Sequence, residues 1–207
     1  GTHSGGFSRL ALRGQLEFDL GEAATLRLVA GYSDKSGDCC SPDVLPGNTS
    51  KTFLAALGRP VDTDPLNRKT AYSDPYKFDG EQYDLLAELN WDLGWGVLTS
   101  TTSFDSFDVW SQIDAEQSAL TAAVFIDRQE SEAFGQEFRL SSSGDGPVTW
   151  MTGAYYYDNS FTRGSLSADE PMLVLGPDIV PLPLPGASGD QSSFKSTNDT
   201  LHWSLFG

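Results

Sequence analysis

From Arg9 to Leu20 the chain reads RLALRGQLEFDL, and most of its apolar residues fall on alternate positions. Leu10, Leu12, Leu16, Phe18 and Leu20 share one parity; Arg13, Gln15, Glu17 and Asp19 share the other. A period of two marks a β-strand with one apolar and one polar face. GEAA interrupts it as a short turn. TLRLVAGYSD then resumes it, with Leu26, Leu28, Ala30 and Tyr32 opposite Thr25, Arg27, Gly31 and Ser33. EQYDLLAELNWDL repeats the signal: Tyr83, Leu85, Ala87, Leu89, Trp91 and Leu93 lie opposite Gln82, Asp84, Glu88, Asn90 and Asp92. After the tight turn GWG, VLTSTTSFDSFDVW reads as a strand from its Thr, Val and Phe content, although it alternates poorly. AFGQEFRLS and VTWMTGAYYYD form a hairpin around SSGDGP, with Phe134, Phe138 and Leu140 opposite Glu137 and Arg139. DTLHWSLFG closes the chain, its Leu201, Trp203 and Leu205 alternating with His202 and Ser204.

Three segments lack this period: Lys35 to Gly80, Ser111 to Ser131 and Ser160 to Ser196. The first and third are rich in proline, and the second holds SALTAAVFI, which reads as a helical turn or two. Unstructured connections of such length count against a compact soluble domain. Connections thus run short, long, short, long, short, long. Strands of roughly ten residues are what a tilted strand needs to cross hydrocarbon. Short turns on one side and long loops on the other are the layout of an outer-membrane barrel. A soluble β-sandwich alternates in the same way but rarely segregates loop length by side.

The rings lean the same way. Trp91, Trp95, Trp150 and Phe18 lie by the short turns; Tyr32, Tyr83, Phe104, Phe107, Trp110 and Tyr155 to Tyr157 are read at the other ends. Membrane barrels carry such aromatic girdles at both water interfaces. Arg13, Glu17, Arg27, Asp84, Glu88, Asp92, Glu137 and Arg139 all take the polar parity, which suits a hydrated lumen.

Composition removes other classes. The 207 residues carry a formal charge of −16, and Lys and Arg do not cluster, so nucleic acid is not an expected partner. An aromatic content of 12% argues for folded structure. No apolar run approaches the ~18 residues of a membrane helix. The only cysteines, Cys39 and Cys40, are adjacent, with Cα atoms held about 3.8 Å apart, closer than ordinary disulfides prefer. They form a strained vicinal bridge, stay free, or pair with cysteines elsewhere.

No chemistry-bearing motif emerges. There is no GxxxxGK loop, no nucleophile elbow and no histidine pair at metal spacing, since His3 and His202 stand far apart. Asp34, Asp38, Asp43, Asp62, Asp64, Asp74, Asp79 and Asp84 lack EF-hand spacing and read as solvated acids rather than a calcium site. Asn48 and Asn198 fit the glycosylation pattern, which carries little meaning in a bacterial outer membrane. No enzymatic activity, catalytic residue, cofactor or metal site is expected.

One resemblance sharpens the reading. Gln136-Glu137-Phe138-Arg139-Leu140-Ser141, a short turn, Trp150, Gly153 and then Tyr155-Tyr156-Tyr157 resemble early barrel strands of TonB-dependent receptors. GVLTSTTSFDSFD is similar to the strand before that hairpin, LHWSLFG to the family's Ala-x-Phe-Gly strand start through Phe206 and Gly207, and LRGQLEFDLGEAATLRLVAGYSD to another barrel hairpin. The likeness spans most of the chain outside the long segments. It implies a barrel of about 22 strands filled by an N-terminal plug. It also implies energised uptake of a large scarce nutrient, such as a ferric siderophore, driven by the TonB complex acting on that plug. No plug or TonB-box segment is in the sequence.

The expectation is therefore an all-β, antiparallel up-and-down meander over residues 1–207. About seven strands would form a partial transmembrane β-barrel with long extracellular loops, in a Gram-negative outer membrane. Expected partners are outer-membrane lipid, an extracellular nutrient and, through the plug, TonB. Seven strands cannot close a wide barrel, so the sheet should be curved and open, with two unpaired edges and an apolar outer face. The same pattern admits a plug-free porin-like channel or a soluble β-sandwich binding module.

Overall fold

The computed structural model describes residues 5–38, 55–56, 76–114, 123–144, 147–169, 173–175, 178–180 and 191–207. They form β1 (Phe7–Asp19), β2 (Ala24–Gly37), β3 (Lys77–Asp92), β4 (Gly96–Asp114), β5 (Ala123–Ser142), β6 (Met151–Asp169), β7 (Leu173–Leu175), β8 (Asp178–Val180) and β9 (Gln191–Phe206). Seven strands make one open antiparallel sheet in the order β1-β2-β3-β4-β5-β6-β9; β7 and β8 pair separately. The expected meander is there, and β1 and β9 each keep a free edge among the described residues. Cys39 and Cys40 lie outside the described residues.

The register places the parities as the alternation requires. Leu16 opposes Leu28, Leu28 opposes Ala87, and Ala87 opposes Thr102, so one face runs continuously across the strands. The other face carries Glu17, Arg27, Glu88, Thr101, Glu137, Tyr155 and Ser204 in one cross-strand row. The two faces are buried unequally. Among the described residues the only buried large apolar side chain is Val29, on the polar face, joined there by Thr99, Asp127 and Ser131. Leu10, Leu12, Leu16, Leu85, Trp91, Phe138, Leu201, Trp203 and Leu205, all on the apolar face, are exposed. Side chains crowd one another on the concave side of a bent sheet and splay on the convex side, so the polar face is the inside of the curve.

At the turn end, tight geometry is set by glycine. Gly21 and Gly94 have φ of 79° and 82°, a region costly for residues with a Cβ. Hydrogen bonds also stitch neighbouring turns together: Asp92 N donates to Ala23 O at 2.7 Å, and Ser143 N donates to Trp95 O at 3.3 Å. Trp95 and Trp150, from adjacent turns, stack with centroids 6.3 Å apart.

Several boundaries differ from the sequence expectation. The sheet strands span 13 to 20 residues, not about ten. β5 begins at Ala123, so the tail of SALTAAVFI is strand rather than helix, and the β4–β5 connection shrinks to residues 115–122. β6 continues to Asp169, eleven residues past the expected end of its arm at Asp158. Hydrophobic period reports only where one face is dry. In QESE (Gln129–Glu132) and NSFTR (Asn159–Arg163) both faces are largely polar, so the period vanishes while the backbone ladder continues. The tyrosine triplet moves as a consequence. Tyr155, Tyr156 and Tyr157 sit near the turn end of β6 rather than at its far end.

Candidate functional site

The concave face is a field of charged and hydroxyl side chains set by strand register. Near the turn end, Arg27 Nη2 donates to Glu88 Oε2 at 2.9 Å. Asn90 Nδ2 donates to Glu88 Oε1 at 3.0 Å, and Thr99 Oγ1 donates to Asn90 Oδ1 at 2.8 Å. That chain crosses β2, β3 and β4 and uses Arg27 and Glu88 from the polar parity. Arg13 reaches Asp84 at 3.9 Å across β2. It can do so because the intervening residue is Gly31, whose absent side chain leaves room for the Asp84 carboxylate. Arg139 lies 3.9 Å from Glu137 on the same strand. These are half-exposed pairs, each worth little by itself in water.

Further from the turns a second cluster appears that the sequence did not reveal. Asp127 is 8% exposed. It accepts from Arg163 Nε at 2.8 Å and from Gln129 Nε2 at 2.7 Å. Ser131 Oγ donates to Asn159 Oδ1 at 3.0 Å, and the Phe107 and Phe161 rings meet at 6.4 Å. All of these but Phe107 and Asn159 fall in segments read as loops, where only the cross-strand ladder could have exposed the arrangement.

Rings also line the concave wall. Tyr155 and Tyr157 stack at 6.4 Å with planes 10° apart, and His202 packs against Tyr155 at 6.3 Å. Tyr156 points to the other face and packs on Phe134 at 6.3 Å. The triplet thus does present rings to both faces. Phe107, expected in a girdle, is instead concave. Tyr32 and Tyr83 pair on the apolar face, their rings 5.0 Å apart.

The described residues contain no group of three or more His, Cys, Asp or Glu placed to hold a metal. Of the aspartates weighed for calcium, the four that are described form no shared metal group. Asp34 and Asp79 share the outward face, Asp84 is concave, and Asp38 accepts from the backbone N–H groups of Gly5 and Gly6. Asp43, Asp62, Asp64, Asp74, His3 and Asn48 lie outside the described residues.

No family model, curated protein or solved structure matches the chain. The geometry therefore stands alone. Among the described residues it offers a polar, charged concave wall backed by an apolar exterior.

Proposed function

We propose that this chain is part of the wall of an outer-membrane β-barrel belonging to a TonB-dependent transporter that takes up a large scarce nutrient. The observation that carries the reading is the inversion of the sheet. Twenty-two large apolar side chains are exposed among the described residues. Most lie on the convex face, while polar groups fill the concave one. Leaving a Leu or Phe in water forgoes about 1.5–3 kcal/mol each. A contiguous face of them needs a partner the size of the sheet.

Lipid fits that partner in dimension. From Trp91 to Tyr83 β3 advances roughly 26 Å at about 3.3 Å per residue. Tilted by about 40°, that is roughly 20 Å along the membrane normal, near the ~25 Å apolar band of known barrels. The Trp95–Trp150 stack at one limit and the Tyr32–Tyr83 pair at the other occupy the two interfaces. The transporter, rather than a plain pore, rests on the resemblance of the Gln136–Tyr157 hairpin and its neighbours.

The test uses the full-length protein that contains this chain. It should fractionate with the outer membrane, need detergent for extraction, and run faster on gels before heating than after. Growth on the limiting nutrient should require both this protein and an intact TonB complex. Recovery as a soluble monomer in plain buffer would overturn the barrel. Passive permeation independent of TonB would overturn the transporter and leave a channel.

A further inference from the structure

Beyond the Tyr32–Tyr83 level the convex face changes character. Across β4, β5 and β6 a depression of about 390 Å³ is lined by Ser106, Asp108, Glu130, Glu132, Ser160 and Thr162. A neighbouring one of about 260 Å³ is lined by Asp79, Glu81, Asp108, Trp110 and Arg128. They share Asp108, and by strand parity these side chains face outward, on the side that carries the apolar band; Phe107 and Ser131, of the opposite parity, also border the first depression.

The lining is pre-set. Arg128 Nε donates to Asp108 Oδ1 at 3.2 Å and Nη2 to Oδ2 at 2.6 Å, and Glu130 Oε1 lies 2.9 Å from Nε. Its charge is thereby engaged by two carboxylates. Ser160 Oγ donates to Asp199 at 2.8 Å, and Thr162 shares a hydroxyl–hydroxyl bond with Thr197 at 3.0 Å. Five carboxylates (Asp79, Glu81, Asp108, Glu130, Glu132) against one guanidinium leave a formal −4, which repels phosphate and sulfate. Carboxylates held this way are strong acceptors for hydroxyl donors. The hydroxyls add donors and acceptors at fixed positions, and the Trp110 indole is a rigid flat platform of low ordering cost. Vicinal hydroxyls with a flat C–H face are what this combination fits. Among the described residues no three of these carboxylates are placed to hold a metal ion.

We infer that these joined depressions bind the neutral saccharide headgroup of a glycolipid standing beside the barrel. The inference rests on the lipid-facing reading of the apolar band, because the lipid's tails would lie on that band directly below its headgroup.

The experiment takes the full-length protein, purified in a non-glycosidic detergent, and titrates it by native mass spectrometry with three lipids of matched tails. These are a digalactosyl diacylglycerol, a phosphatidylglycerol and a phosphatidylcholine. The galactolipid should bind at least tenfold more tightly than the others. Trp110→Ala should weaken it about tenfold and Glu132→Gln severalfold, whereas Trp110→Phe, which keeps a ring, should retain most of the binding. The gel shift before and after heating confirms that each variant is folded. Equal binding of the three lipids, preference for phosphatidylglycerol with or without calcium, or indifference to Trp110→Ala would overturn the site. If the protein instead proves soluble without detergent, it is the membrane reading that fails. Free galactobiose, titrated against Trp110→Ala, then decides the saccharide site separately.

Discussion

Leu85 is the position at which the membrane reading is most exposed to refutation. It sits mid-band on β3, opposed by Ala30 on one side and Phe104 on the other, and is 52% exposed. In water an Arg at such a half-exposed site would change stability by no more than about 0.5 kcal/mol. Facing hydrocarbon, Arg near the bilayer midplane costs about 2–4 kcal/mol, falling to about 0–1 kcal/mol near the interfaces. Leu85→Arg should therefore shift the folding equilibrium by roughly 30- to 800-fold at about 1.36 kcal/mol per decade. Glu81→Arg, beyond the band on the same face, should cost no more than about 1 kcal/mol. Thr101→Arg on the concave face supplies the mirror control. Its cross-strand neighbours are Glu88 and Glu137, so a guanidinium there should be neutral within about 0.5 kcal/mol. The assay is reversible denaturant unfolding of the full-length protein in phospholipid vesicles. A flat profile, with Leu85→Arg no costlier than Glu81→Arg, would refute the placement of this face in lipid.

Four further outcomes follow from particular contacts. A methyl at Gly153 would run into the Phe206 ring and the Phe138 carbonyl; Gly153→Ala should cost about 1–3 kcal/mol by overpacking, with Phe206→Leu recovering part of it in denaturant melts. Gly31→Ala should be cheaper, under about 1 kcal/mol, because only the end of Asp84 must move and the Arg13 pair it disturbs is long and exposed. Asp127→Ala should cost about 1–2 kcal/mol, since it strands Gln129 and a half-exposed Arg163. A double-mutant cycle on Trp95 and Trp150 should give a coupling of about 0.5–1.5 kcal/mol in the same unfolding assay.

How much was legible depended on solvent contrast. Leu10 to Leu20 and Tyr83 to Leu93 announced strand, face and register direction together, because one side is apolar and the other polar. Glu130 and Thr162 announced nothing, because neither face is apolar there; their strands are held by the ladders joining β4, β5, β6 and β9 rather than by any burial of their own. The same blindness put the tyrosine triplet at the wrong end of β6 and hid both the Asp127–Arg163 contact and the Trp110–Arg128 depression. Cross-strand partners are far apart in the chain, and no local pattern lists them.

Glycine on the concave wall follows from the same geometry. Tyr157 opposes Gly135, Phe206 opposes Gly153, and both Phe7 and Phe78 oppose Gly37. The Phe206 ring lies where a Gly153 Cβ would be, and Phe7 closes on Gly37. In a bent sheet the inner face is the crowded one, so a ring there gains room where the neighbouring strand offers bare backbone. Glycine costs a strand about 0.5–1 kcal/mol relative to alanine. Covering it with an aromatic shields its backbone and fixes the register in a stretch where polar alternation alone would let strands slip. The pairing accounts for the Phe206 and Phe7 rings on that wall. It also separates two kinds of aromatic that look alike in sequence: those seated on glycine, which shape the wall, and Trp110, which lines a depression on the outward face and is free to meet a ligand.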